Sequence, residues 1–217
     1  MELGELIRRF RVEANDKVEP YFNADEDVKA WLNDALIEAC IRGRLIYEYN
    51  MKTAVQPNKS TYPLSKIYEI VRIWFIPADQ SVSRQLSISS PTSLDQTYYE
   101  NWADLKGLPQ FVIQTDTKIR LVPEPDMAGE IKIEGYRTAV AMESNSDEPE
   151  INPLHHVYLI QWALYKAYSV PDSEFFDPNR AALAEQAFTD YFGIRPDSDL
   201  RRATREDVPH HVQPFFP

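Results

Sequence analysis

The chain contains one cysteine, six glycines and no long apolar run, and each scarcity removes a class of protein. Cys40 has no partner with which to close a disulfide inside the chain, so a disulfide-stapled scaffold is excluded. Its place in the apolar stretch WLNDALIEACIRGRLI predicts a buried, unreactive thiol. Six glycines among 217 residues leave little material for a backbone cradle around a nucleotide. No Gly-rich phosphate loop, C-x-x-C pair, H-E-x-x-H or G-x-S-x-G occurs either, so no cofactor is expected. No apolar run approaches the roughly 20 residues of a spanning helix. MELGELIRRF reads as a charged amphipathic helix and not as a signal peptide, so the expectation is a soluble chain made in the cytoplasm, with no membrane partner. Positive charge is also short: 23 Lys and Arg against 34 Asp and Glu give a net charge of -11. General adhesion to nucleic acid depends on cations displacing counterions from phosphate, and this balance argues against it.

What is present is a hydrophobic content of 43%, enough for a real core, arranged as helices, then strands, then helices. Leu3, Leu6, Ile7 and Phe10 fall at helical spacing within residues 2–18, closed by Pro20. Arg8, Arg9 and Arg11 then fit a solvated helix face. A second helix, capped by Asn23 or Asp25, runs through Val28, Trp31, Leu32, Ala35, Leu36 and Ala39 to Gly43, and should pack on the first as a hairpin.

From about Tyr62 the texture becomes β-branched and aromatic. KIYEIVRIWFI (66–76) predicts a strand covered on both faces, and QLSIS a shorter one. In SPTSLDQTYYENWADLKG, Leu94, Tyr98 and Trp102 at i, i+4, i+8 with Gly107 as a stop predict a helix interrupting the sheet. PQFVIQTDTKIRLVPEP reads as a hairpin turning at Thr115, Asp116 and Thr117, and GEIKIEGYRTA as a further strand. After the acidic stretch ESNSDEPE, Asn152 or Pro153 opens a helix through Val157, Ile160, Leu164 and Ala167, with Trp162 turned inward. Asp177 and Pro178 form a strong cap for a last helix ending at Gly193.

Groups with catalytic or metal-binding potential are scattered. His155 and His156 are neighbours, and positions i and i+1 on a helix diverge by ~100°, so they do not serve one metal as i, i+4 ligands do. His210 and His211 fall in a proline-rich tail, and all four histidines are given structural or surface roles. Glu148 and Glu150 lie in a polar linker with nothing apolar to shift them. Asp172, Glu174 and Asp177 are explained by the start of the last helix. No catalytic residue is assigned and the chain is not expected to be an enzyme.

Recognition chemistry remains. IRPDSDLRRATREDVPHHVQPFFP has no helical or strand period and reads as an extended arm. Arg201, Arg202 and Arg205 supply charge for salt bridges, and Phe215 and Phe216 an apolar anchor for a pocket on a partner.

NWADLKGLPQFVIQTDTKIRLVPEPDMAGEIKIEGYR resembles a pattern of tailed-bacteriophage head-to-tail adaptors: a tryptophan, a Gly-x-Pro, a hairpin, a P-x-P-D turn and a strand ending in Tyr-Arg. VKAWLNDALIEACIRGRLI resembles the second helix of that family, and HHVYLIQWALYKAYSVPDSEFFDPNRAALAEQAFTDYFG its paired helices, so the resemblance covers most of residues 20–193. It is similar to the tail tubular protein A type of short-tailed phages. The resemblance implies a structural virion protein forming a ring of twelve copies beneath the portal protein, with a tail or nozzle protein below. DNA would be passing cargo in the lumen, where a like-charged wall resists sticking. It also implies that the arm, residues 194–217, reaches the portal.

The expected fold is α+β: an antiparallel α-helical bundle with an inserted small antiparallel β-sheet or barrel unit and an extended C-terminal arm. The expected divisions are N-terminal helices in 1–59, a β insertion with one short helix in 60–140, C-terminal helices in 141–193, and the arm. The rival readings are another neck or tail-completion protein, and a small cytosolic enzyme or ligand-binding protein using the β unit as its pocket.

Overall fold

The computed structural model describes residues 1–64, 66–79, 83–97, 101–171 and 173–196. The elements in chain order are α1 (Leu3–Ala14), α2 (Asp25–Gly43), β1 (Tyr47–Val55), β2 (Thr61–Pro63), β3 (Ile67–Pro77), β4 (Arg84–Gln85), β5 (Ser87–Ile88), α3 (Pro91–Thr97), β6 (Phe111–Gln114), β7 (Lys118–Val122), β8 (Gly129–Arg137), α4 (Leu159–Tyr168) and α5 (Pro178–Phe192). The fold is mixed α+β. One compact unit comprises residues 1–46 and 137–195, and a second is built on Tyr47–Tyr136.

In the first unit, α4 packs against α1, α2 and α5. Its Ile160, Ala163 and Ala167 are wholly buried, as are Ala35 and Ala39 of α2, and small side chains of this kind let helix backbones approach closely. The apolar stripe of α1 lies where its spacing predicts, with Leu3, Leu6, Ile7, Phe10 and Ala14 all buried. That helix stops at Ala14, four residues short of the expected end, because Asn15 adopts a left-handed conformation (φ 61°) and its neighbour Asp16 turns into the core. Neither expected cap serves α2: Ala24 stands at its N-cap, Asn23 is buried in the preceding corner, and Asp25 is already helical. Asp25, Glu26 and Asp27 in the first turn instead complement the helix dipole.

Asn152 accepts a hydrogen bond from the Leu154 N–H (3.0 Å) and opens a 3-10 segment, Pro153–Tyr158, that leads into α4. Asp177 accepts from the N–H groups of Asn179 (3.0 Å) and Arg180 (3.1 Å), capping α5 as its sequence predicts, and Gly193 (φ 91°) ends it.

The second unit contains two four-stranded sheets, ordered β1-β8-β3-β4 and β2-β7-β6-β5. Of the strand pairs with a described register, β5 with β6 is parallel and the others are antiparallel, and an isolated parallel bridge joins Lys106 to Glu124. Strand β1 was not foreseen: residues 49 and 50 interrupt its register with β8, so its side chains do not alternate cleanly. β6 and β7 form the expected hairpin, closed by the Thr115 hydroxyl donating to the Lys118 carbonyl (2.9 Å).

Val112, Ile119 and Leu121 of the second sheet and Ile73, Phe75, Ile131 and Ile133 of the first share one core. Buried Gln114 of β6 donates to the Tyr68 carbonyl (3.2 Å) and accepts from the Ile70 N–H (3.3 Å), joining one sheet to the backbone of the other. Leu94 of α3 packs with Ile113 and Val122 on the opposite face of the second sheet. The helix expected across 90–107 is shorter here: α3 ends at Thr97, and Trp102–Asp104 is a separate 3-10 turn preceded by Asn101 at ψ 78°, outside helical geometry. Tyr98 lies outside the described residues. The expected cover on both faces of β3 is not seen among the described residues, where Val71 and Arg72 are exposed.

Residues 46/47 and 136/137 carry the chain into and out of this unit, and Tyr47 pairs with Tyr136 while the Arg137 N–H donates to the Ile46 carbonyl (3.1 Å). Within β8, Gly135 is held so close to β3 that a Cβ there would sit 2.2 Å from the Glu69 carbonyl oxygen. Replacing Gly135→Ala must therefore move backbone. A loss of about 3 kcal/mol in urea-unfolding stability is expected; a variant as stable as the parent would show that the two strands have room to part.

Candidate functional site

The arm residues assigned to recognition, Arg201, Arg202, Arg205, Phe215 and Phe216, lie outside the described residues, as do His210, His211 and Asp172. The structure does describe the root of the arm. Glu38, near the end of α2, receives the Arg42 Nε at 2.9 Å and stands 3.6 Å from the Arg195 Nε. Arg42 donates onward to the Thr189 hydroxyl (2.9 Å) and the Gly193 carbonyl (3.3 Å), and its guanidinium lies 5.2 Å from the Trp162 ring and 5.3 Å from that of Phe188. One buried carboxylate with two cations thus ties the last turn of α5, and the chain leaving it, to α2. Trp162 packs against Phe188 and Tyr165.

The histidines take separate structural places. His156 is buried between the Ile151 carbonyl (Nε2, 3.0 Å) and the Met1 amino group (Nδ1, 3.0 Å). His155 meets the Tyr191 hydroxyl through Nδ1 at 3.0 Å. Among the described residues no group of three or more His, Cys, Asp and Glu is placed to hold a metal ion, and no helix is long and apolar enough to cross a membrane. Cys40 is wholly buried, and burial pushes its thiol pKa up, against reactivity. Glu150, expected in a solvated linker, is gripped by the Arg137 guanidinium (2.8 Å to one nitrogen) and accepts from the Val140 N–H.

The α1–α2 corner departs from expectation. Arg11, read as part of a solvated face with Arg8 and Arg9, is only 7% exposed. It donates to Asp16 (3.0 Å), to the Asn23 carbonyl (3.1 Å) and to Asp25, and its guanidinium lies 3.6 Å from the Tyr21 ring centroid. Asp16, 1% exposed, also accepts from the N–H groups of Phe22 (3.0 Å) and Asn23 (3.2 Å). A single-helix view sees a third arginine on a polar face; the acceptors that draw it inward arrive five to fourteen residues later. Arg8 and Arg9 do stay at the surface, both paired with Glu5, whose carboxyl their hydrogen bonds hold down at about 2.

This corner builds a surface that sequence reasoning missed. Phe22 projects from it to meet Phe175 (5.7 Å between centroids), which stacks on Tyr168 (5.3 Å, interplanar angle 4°). These rings, with Ala14, Phe176 and Arg180, line a cleft of 370 Å³. A second, of 470 Å³, shares Asn15, Tyr168 and Arg180 with it and extends past Leu164 and Leu183 to Glu13 and Gln161. Phe22 is 62% and Leu183 71% exposed. Glu13 accepts from the Gln161 amide (3.1 Å), yet burial raises its pKa above the ordinary carboxylate value. The clue in the sequence was the pairing of Tyr21-Phe22 and Phe175-Phe176 just outside helix ends, where aromatic residues need a partner.

Compared with protein families, residues 1–213 match the family described as SU10 adaptor protein. A search of curated proteins returned no match.

Two measurements test this geometry. Arg11→Met strands the Asp16 carboxylate in the interior and is expected to cost about 3 kcal/mol of urea-unfolding stability, whereas Arg8→Ala should change it little. For Glu13 the folded pKa lies above the unfolded one, so its ionisation opposes folding once pH exceeds the folded value, and the penalty vanishes below the unfolded value of about 4.3. Glu13→Gln should therefore raise the urea midpoint at neutral pH and leave it unchanged near pH ~3; an equal effect at both would remove charge as the cause.

Proposed function

The chain belongs to the SU10 adaptor family, and from that membership we propose that it forms a ring below the portal and connects it to the tail or nozzle protein. Membership supports a phage head-to-tail adaptor role, a place in the virion and a structural, non-enzymatic task. The finer reading, a ring of twelve of the podophage tail tubular protein A type with DNA passing through its lumen, is ours. The observation that supports the adaptor role is the match over residues 1–213, which runs through both units and into the arm. The net charge of -11 is consistent with a lumen that repels DNA and so does not hold it.

In this reading the helices act as a bundle from which the arm extends, and the arm binds the portal. Arg201, Arg202 and Arg205 pair with portal carboxylates, and Phe215 and Phe216 seat in an apolar pocket. The root held by Glu38, Arg42 and Arg195 gives the arm a defined point of departure. Ordering on docking would let each bound copy build part of the site for the next.

Truncation after Pro196 leaves that root intact, and is expected to preserve the folded chain while abolishing its stoichiometric complex with the portal, read by light scattering. Triple replacement of Arg201, Arg202 and Arg205 by alanine should weaken the complex and make its loss with rising salt shallower than the parent's. A truncated chain that joins the portal as the full chain does would end the arm mechanism, and failure of the full chain to join it would end the portal assignment.

A further inference from the structure

Helix α5 has a second face beside the one it buries. Its core side carries Ala181, Ala184, Phe188 and Phe192 and packs on α4. About a third of a turn away, Arg180, Leu183, Ala187 and Asp190 form a separate line at i, i+3, i+7 and i+10, and all four are exposed. Leu183 is 71% exposed. Apolar residues at this spacing, bracketed by charges of opposite sign, are the pattern of a helix that receives another helix.

Helix α2 carries a matching line. Asp34, Ile37, Ile41 and Arg44 repeat the same spacing on the side turned away from buried Val28, Leu32 and Ala35; Ile41 is half-buried and the other three are exposed. Laid side by side in the same direction, the two lines match at every step. Asp34 meets Arg180, Ile37 meets Leu183, Ile41 meets Ala187 and Arg44 meets Asp190. The two charged steps stand about 15 Å apart on each helix. Reversing one helix would set Asp34 against Asp190 and Arg44 against Arg180, so the charges specify a parallel pair.

One copy does not use this match on itself. Within the chain α2 and α5 already run in the same direction: Phe22, just before α2, shares a cleft with Arg180, and near the other ends Arg42 donates to the Thr189 hydroxyl. Thr189 and Ala187 stand about 160° apart around α5, so the line on α5 looks away from the α2 of its own copy. A neighbour related by a small rotation presents its α2 in nearly the same direction, and in a ring of twelve that step is about 30°. The parallel orientation that the charges require is the one that ring symmetry supplies.

We propose that α5 of one copy packs against α2 of the next through these two lines. The contact is heterologous, two different faces meeting, and so repeats around a ring instead of closing a pair. It rests on the ring reading above and supplies that ring with its subunit interface.

The test uses the full chain, free at high concentration and on the purified portal of the same phage, carrying Ile37→Cys and Leu183→Cys and treated with a short bismaleimide. Native Cys40 is buried and does not compete. Copies bearing both substitutions are expected to give a ladder of dimers, trimers and larger species, and an equimolar mixture of the two single variants dimers only. Adding Asp34→Lys or Arg180→Glu alone should cut the cross-linked yield at least about fivefold, and adding both should restore it. These positions are exposed, and unchanged urea midpoints would show that the fold is intact. Absence of the ladder in both settings overturns the proposal, as does failure of the paired charge reversal to restore it. Dimers from Leu183→Cys by itself, the mark of α5 meeting α5 across a two-fold axis, overturn it too. Light scattering of the portal complex counts the copies independently: a ring that assembles without this cross-link ends the contact and spares the ring, whereas a complex of one or two copies ends both.

Discussion

A guanidinium held out of water organises the first unit. Arg11 closes the corner between α1 and α2 by satisfying Asp16 and Asp25 together, and Asp16 in turn holds the backbone of Phe22 and Asn23. A buried ion pair gains little stability over a well-packed apolar substitute, but it is exacting about geometry, because an uncompensated charge in that place is expensive. The corner accordingly has a single shape, and it delivers the Phe22 ring to Phe175. The aromatic wall of the cleft is thus a consequence of an electrostatic constraint on the opposite side of the same loop.

The second unit solves a similar problem without charge. Two sheets that share an apolar core are free to slide unless something polar sets their register, and Gln114 does so by spending both ends of its amide on the backbone of β3. Gly135 adds a steric condition, since β8 meets β3 at a separation that admits no side chain. Register is specified here by one hydrogen-bonded residue and one missing methyl group, while the aliphatic residues around them supply bulk.

The parts of this fold legible in the sequence are those determined within a few residues. Asp177-Pro178 and Gly193 delimit α5 because caps act on the nearest turn, and the stripe of α1 follows from spacing alone. β1 escaped notice because its interrupted register hides the period of two, and the extent of α3 was overestimated because three apolar residues at helical spacing do not reveal a backbone break between them. Arg11 and the cleft were illegible for a common reason: each is made by groups from separate elements, and no local pattern records that they meet. The family resemblance was readable from dispersed matches, and the five arm residues remain a sequence-based proposal.

The paired entry and exit of the β unit, Tyr47 opposite Tyr136, means that the chain crosses into it and back at a single ladder step. Two ends so close can be joined by almost any hairpin or domain without disturbing the helices that flank them. The flanking helices and the β unit are thus continuous through a single point of the chain, so lengthening or shortening the intervening segment leaves the path of those helices as it is.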